Sequence, residues 1–320
     1  ALHPGDLEAL AFDADLSRRL EQRVHAARRS KDEVELDLMR AAAACSRAGH
    51  LAGMTAARAG LTERALQVEI ESAFLRAGAE RPAYASIAVG GPHTAVLHAT
   101  PGARPLAEGD LVLVDAGAEF AGYDSDVTRT WPVSSSFTSS QRAIYDIVLD
   151  VQAAAIDAVK PGVEFRELHL DACRRVAEGL REFGLLRGDV DDLVARDAHA
   201  LFLPHGLGHM LGLATHDVGG WAEGRERSER PGLKFLRIDT PLAAGDVVTI
   251  EPGIYFVPAL LQDPELRRRH HDEVNWELAD TMLGWGGVRI EDDVLVTPDG
   301  HEVLTAEIPK AVDELEALRG

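Results

Sequence analysis

The sequence predicts an α+β fold made of two related halves, on three observations: an internal repeat, helical periodicities alternating with short strand texts, and ordinary globular composition. PLAEGDLVLVDAGAE (105–119) aligns without a gap to PLAAGDVVTIEPGIY (241–255), an offset of 136 residues from Asp115 to Glu251. That period is too long for a solenoid and implies two half-domains facing each other. With 46% hydrophobic and 27% charged residues in 320, the chain is long enough to bury a large core without staples.

Taken in order, residues 17–58 place Ala, Leu and Met at helical spacing and predict one long or two joined helices, with Gly60 as a stop. Thr62 caps a helix running to about Gly78. Strand text follows from Tyr84 to His98 and again, densely, from Leu111 to Val133. Thr138-Ser139-Ser140-Gln141 has capping-box form and opens a helix that ends before Pro161-Gly162. Helices fit 164–184 and 189–200, and 221–240 reads as loop. Strands return at 246–257 and 287–296, separated by a charged helical insertion in which His270 and His271 read as solvated residues. The tail from Pro309 is an amphipathic helix.

Several functions are excluded early. A formal net charge of −20 repels phosphate backbones and anionic lipid, so nucleic acid and membranes are poor partners. No run approaches the ~18 apolar residues of a membrane span, and the first residues lack the layout of a signal peptide. Cys45 and Cys173, far apart in helical text, fit small buried hydrophobes in a reducing compartment. The expectation is a cytoplasmic protein.

Three segments carry chemistry. A hairpin centred on Phe120-Ala121 would set Asp115 directly opposite Asp126, a repulsive pair unless a cation bridges it. The glycine-rich HGLGHMLGLATHD contributes His205, His209 and His216, each able to ligate metal, carry a proton or donate to developing negative charge. In GVRIEDDVLVT, Arg289 lies two residues before Glu291 on the same strand face, where it orients a ligating carboxylate. Asp115, Asp126, Glu251 and Glu291 with one imidazole bring charge −4, which two divalent cations balance. Such oxygen-rich ligands favour Mn2+ or Co2+. Two cations ~3.5–4 Å apart activate water, so hydrolysis is the expected reaction.

Five motifs in order, VDAG, SDVTRT, HGLGH, TIEPGIY and VRIEDD, resemble those of the proline-specific metallopeptidases, aminopeptidase P and prolidase, relatives of methionine aminopeptidase and creatinase. The similarity runs from about Lys31 to the C-terminus. It implies a pita-bread fold with two pseudo-symmetric halves around a curved antiparallel sheet. It divides the chain into a helical N-terminal remnant, 1–30, and a catalytic domain, 31–320. The implied metals are two divalent ions, Mn2+ first with Co2+ or Zn2+ as alternatives, held by Asp115, Asp126, His209, Glu251 and Glu291.

The resemblance also implies that Glu251 or its bridging partner accepts the nucleophile's proton. His98 would contact substrate near the scissile bond, and His216 would donate to the carbonyl oxygen. His205 would line the proline pocket, Tyr84 and Arg289 would shape the site, and Arg237 would grip the free carboxylate of a dipeptide. The text HDVGGWAEGRERSERPGLKFLRIDTPLAAGDVV looks more like prolidase than like bacterial aminopeptidase P. The implied activity is that of an Xaa-Pro dipeptidase acting on proline-containing di- or oligopeptides. Xaa-Pro aminopeptidase is the rival, and a non-catalytic partner-binding relative the third reading. Two departures stand out: the usual N-terminal domain is mostly absent, which bears on whether the chain forms a homodimer, and AVLHAT lacks the aromatic that often follows the histidine.

Overall fold

A break at Ser30–Asp32 divides the first helical text in two. In the computed structural model, which describes residues 13–319, α1 spans Ala14–Arg29 and α2 Glu33–Ala56. Residues 1–12 of the expected remnant lie outside the described residues. Asp32 starts α2 with a capping box, its carboxylate accepting from Glu35 N while Glu35 accepts from Asp32 N. No residue of α1 is buried, yet its end is tied to the body by Arg28–Asp217 and Arg29–Asp246 ion pairs, each 2.6 Å. Helix α3, Glu63–Arg76, is capped by Thr62 as the sequence predicts.

The strands that follow are β1 Arg81–Pro82, β2 Ile87–Gly90, β3 Leu111–Asp115, β4 Ala118–Phe120, β5 Tyr123–Asp124 and β6 Thr128–Pro132. The strand expected over 84–98 stops at Gly90. Gly91 turns with φ 54, and Gly91–Ala95 forms a 3-10 turn with proline near its start. The second half contains α4 Ser139–Asp157, α5 Phe165–Glu182, α6 Val190–Ala195, β7 Val247–Ile250 and β8 Gly253–Tyr255. Next come α7 Pro258–Leu261, α8 Pro264–Arg269, α9 Trp276–Thr281, β9 Gly287–Arg289, β10 Asp292–Thr297, β11 Gly300–Val303 and α10 Val312–Arg319. Within the helical insertion His271 is exposed, but His270 is 3% exposed, a correction to its reading as solvated.

Every ladder between these strands is antiparallel, with β3 between β2 and β6, and β10 between β7 and β11. The repeat is structural as well as textual. Gly109 and Gly245 turn with φ 85 and 88, and each is followed by an aspartate whose carboxylate accepts the amide of Ala107 or Ala243. Before each helix, Gly60 N donates to Leu106 O and Gly162 N to Leu242 O, at 2.9 and 2.8 Å. Between helices and strands, Phe74, Trp131, Tyr145, Phe165, Phe202 and Phe256 are fully buried. Each contributes roughly 1.5–3 kcal/mol or more of transfer free energy.

The hairpin carrying the first acids differs from the expected register. Asp115 pairs with Thr128, not Asp126, and the two-residue turn is Ala121-Gly122, both with positive φ of 49 and 87. This is the turn geometry that matches strand twist. The slip amounts to two positions on the partner strand, so Asp126 stays on the face it was expected to share with Asp115. Between the two ladders, Gly117 crosses Ser125 so closely that a Cβ would lie 1.7 Å from its carbonyl oxygen.

Candidate metal centre

Both halves deliver acids to one place. Asp115 ends β3, Asp126 precedes β6, Glu251 follows β7 and Glu291 joins β9 to β10. Glu251 lies one residue beyond the ladder pair Ile250↔Asp292, and so does Glu291 on the other strand. His209 comes from an irregular segment that runs along β7, with Thr249 N donating to His209 O at 2.9 Å and Glu251 N to Leu207 O at 2.8 Å. Gly208 permits this approach, because a Cβ there would sit 1.9 Å from Thr249 O.

Ligand atoms of Asp126, His209 and Glu291 all lie within 4.8 Å of one another, and all three residues are buried. Glu251 joins them, 3.7 Å from His209 Nε2, while Asp126 lies 3.3 Å from the same nitrogen. Asp115 reaches the group through Tyr84. That hydroxyl is 2.7 Å from Asp115 Oδ1 and 2.5 Å from Asp126 Oδ1. One O–H can donate to only one of two carboxylates, so the second contact needs a proton on an aspartate or a cation in its stead. The donor set, acids plus one imidazole, fits divalent cations.

The histidine is prepared for this. Its Nδ1 faces the Met210 carbonyl at 3.0 Å, which fixes the proton on Nδ1 and leaves the Nε2 lone pair for the acid cluster. In the metal-free site, burial opposes charge on the ring. The hydrogen bond to Asp126 and the charges of Asp126 and Glu251 outweigh it and push His209 up to about 9. Burial pushes Glu251 up to about 7, with Asp126 and Asp115 adding to it and His209 and Arg289 opposing. Glu291 is raised well above the carboxylate range by burial and then by its acidic neighbours.

A second layer holds the acids. Arg289, 4% exposed, donates from Nη2 to Asp115 at 2.5 Å, from Nε to Thr128 Oγ1 at 3.0 Å and from Nη1 to Tyr255 OH at 2.8 Å. It therefore turns toward the acid cluster more than toward the cleft. Thr128 passes the interaction on, donating to Glu291 at 2.6 Å. Thr249 accepts from His209 N, and Asp293 accepts from Asp126 N. Sequence reasoning missed Thr128, Thr249, Tyr255 and Asp293, although all four sit inside the quoted motifs SDVTRT, TIEPGIY and VRIEDD.

The cluster floors a cleft of about 830 Å³, lined also by His98, His205, His216, Arg237, Tyr84, Ile87 and Phe235. His205 Nδ1 faces the Gly206 carbonyl at 2.8 Å and its Nε2 lies 3.0 Å from Tyr255 OH, a neutral ring accepting from the tyrosine. Burial, then the Arg289 charge, lower it to about 3. His216 stacks edge-on to His209 with centroids 4.5 Å apart, and burial with the His209 charge lowers it to about 4. His98 stands exposed on the loop after β2, and Arg237, also exposed, lines the same cleft. Every residue singled out from the sequence thus borders this one cleft.

Comparison with known proteins gives a consistent answer. The sequence matches metallopeptidase family M24 over residues 37–298. It is 39% identical to the Xaa-Pro dipeptidase of Homo sapiens over 90% of this chain and 59% of that protein. It is 38% identical to the Xaa-Pro aminopeptidase of Escherichia coli K12 over 92% of this chain and 60% of that protein. Among solved structures, proline aminopeptidase P II from Yersinia pestis superposes with a TM-score of 0.79 at 38% identity, over 93% of this chain and 62% of that one. The chain thus spans about 60% of the length of these relatives. Among the described residues no helix is long and apolar enough to cross a membrane. Matched over most of its length by sequence and structure alike, and with the same mixed helix-and-sheet architecture, the chain belongs to metallopeptidase family M24 and has its pita-bread fold.

Proposed function

We propose that this chain hydrolyses the peptide bond preceding proline, as an Xaa-Pro dipeptidase, with residues 31–320 as the catalytic domain and α1 docked against it. The observation that carries this is the convergence of Asp115, Asp126, His209, Glu251 and Glu291 on the floor of one cleft, with two carboxylates sharing the Tyr84 hydroxyl. Those five residues would hold two divalent cations, Mn2+ first, with Co2+ or Zn2+ as alternatives. Bound there, the cations supply charge balance and a water acidic enough to attack at neutral pH.

The protein's own groups do the rest. Glu251, or the carboxylate that bridges beside it, would accept the proton of the attacking water. His216, neutral at pH 7, donates an N–H toward the carbonyl oxygen as charge develops on it. His98 faces the substrate beside the scissile bond, and His205, held by Tyr255 and Gly206, walls the proline ring. Arg289 and Tyr84 fix Asp115 and Asp126. Arg237 on the cleft wall supplies a cation for the carboxylate that ends a dipeptide.

A second reading, Xaa-Pro aminopeptidase, is favoured by the equal identity to relatives of that name and by a cleft roomy enough for a longer peptide. Mn2+-loaded protein assayed on Ala-Pro and Ala-Pro-Ala separates the two. Cleavage of the dipeptide alone, lost in Arg237→Ala, is the expected result. Preference for the tripeptide, indifferent to Arg237, would make it an aminopeptidase, and cleavage of neither would favour a non-catalytic partner-binding relative.

A further inference from the structure

We infer that Glu63 is a positioning residue for His98, a buried carboxylate that closes both ends of the loop on which His98 stands. The inference rests on the reading that His98 faces the substrate. Glu63 is the first residue of α3 and is 0% exposed, although helix-start glutamates ordinarily point to water. Its Oε1 accepts from Gly90 N at 3.2 Å and from His93 Nδ1 at 2.8 Å, and its Oε2 accepts from Gly102 N at 3.2 Å. Gly90 and Gly102 bracket the loop, and His93 lies on its first turn.

Burying a carboxylate is costly unless its oxygens are well partnered. Among the described residues no arginine or lysine pairs with Glu63, and the imidazole that does belongs to His93, itself 48% exposed. Every partner of this carboxylate is thus a group of the loop. The backbone repeats the connection: Arg64 N donates to Gly102 O at 2.9 Å and Glu63 N to Arg104 O at 3.0 Å. The first turn of α3 is a firm base, since Leu66, Ile70 and Phe74 behind it are fully buried.

Beyond Glu63, the loop is held by Thr94, whose hydroxyl accepts from Gly287 N at 2.7 Å, and by Ala99, which packs against Ile87, Val89 and Leu113. Val96 is 53% exposed, His98 is exposed, and among the described residues no hydrogen bond engages the His98 side chain. Where the ring sits is therefore set by the backbone, whose two ends are drawn together on one carboxylate. Glutamine at 63 keeps the size but loses one acceptor and turns an NH2 toward an amide donor.

The test is a double-mutant cycle with His98→Ala, measured on whichever of Ala-Pro and Ala-Pro-Ala the Mn2+-loaded protein cleaves. Glu63→Gln should lower kcat/KM by roughly 10–100-fold, the scale of a 1 Å misplacement. His93→Ala, at a half-exposed site and so safe for folding, should lower it less. In the His98→Ala background each should cost under about 2-fold, because the group they position is gone. Undiminished losses there, or full activity in both single variants, would overturn the inference and leave Glu63 a structural residue. A readout independent of turnover accompanies it: the His98 imidazole resonances should shift or broaden in both variants. Unchanged resonances overturn the inference even if the wild type cleaves neither peptide, an outcome that by itself sinks the functional reading instead.

Discussion

Loading the metal-free protein with Mn2+ at pH 7 should expel protons, in a number that can be worked from the site. His209, pushed up to about 9, carries its proton in roughly 99 of 100 molecules at pH 7. Glu251, pushed up to about 7, carries one in about half of them. A cation requires the bare Nε2 of His209 and an ionised Glu251, so binding should release roughly 1.5 protons per molecule from these two groups. By linkage the apparent affinity then rises about 30-fold per pH unit near neutrality. Titration calorimetry in buffers of different ionisation enthalpy reads the proton count as a slope, and His209→Ala should reduce it by about one. A slope near zero, or one that the His209 variant leaves unchanged, would refute the assignment of these residues as ligands.

Other perturbations test the frame around the site. Gly208→Ala and Gly117→Ala would drive a Cβ to 1.9 and 1.7 Å from the Thr249 and Ser125 carbonyls. Each should cost more than about 2 kcal/mol and weaken Mn2+ binding, read by thermal unfolding with and without metal; wild-type behaviour would refute the close approach. His50, fully buried with Nε2 2.9 Å from Ala116 O, is lowered to about 4 by burial and by the Arg129 charge. Its unfolded counterpart titrates near 6.5, so between pH 4 and 6.5 the unfolded state binds the extra proton and stability rises with pH, by about 3 kcal/mol. Urea unfolding at pH 4.5 and 6.5 should show a flatter dependence in His50→Gln, and parallel slopes would refute it. Arg28→Ala strips the partner from Asp217, whose side chain is 1% exposed and adjoins His216. Stability should fall by roughly 1–3 kcal/mol and peptide hydrolysis with it while Mn2+ stays bound, and unaltered rates would exclude α1 from the active cleft.

The parts legible in the sequence are those with local or repeated causes. Thr62 and Thr138 cap their helices because capping chemistry spans four residues. The repeat places Asp115 and Glu251 equivalently from the residues alone. The hairpin register differs from the expected one because the turn places Ala121, a residue with no preference for it, at positive φ, and only Gly122 beside it signals the turn. The strand text after Tyr84 hid a turn that Gly91 and Pro92 impose. Long-range pairings left no trace at all. The segment 221–240 reads as loop, yet Arg225 is tied to Glu164 and Asp239, and Arg230 to Asp197, which leaves Arg237 directed at the cleft. Glu63 was likewise invisible, since a helix-start acid signals a favourable dipole contact rather than a buried anchor.

The pseudo-symmetry explains why the cluster has a single imidazole. The segment through His209 runs along β7 as β2 runs along β3, and His209 pairs with Thr249. Carried across the repeat, Thr249 corresponds to Leu113, whose partner on β2 is Val89. The same backbone position thus bears a metal-competent ring in one half and an apolar side chain in the other. Val89, Leu113 and Ile87 form a small apolar cluster of their own, against which Ala99 packs. That cluster lies under the loop carrying His98, so where the second half presents an imidazole the first half presents an apolar support for one wall of the cleft. The two halves keep one scaffold, with paired acids from each, while a single exchange at equivalent positions adds an imidazole to the acid cluster in one half and an apolar support for the cleft wall in the other.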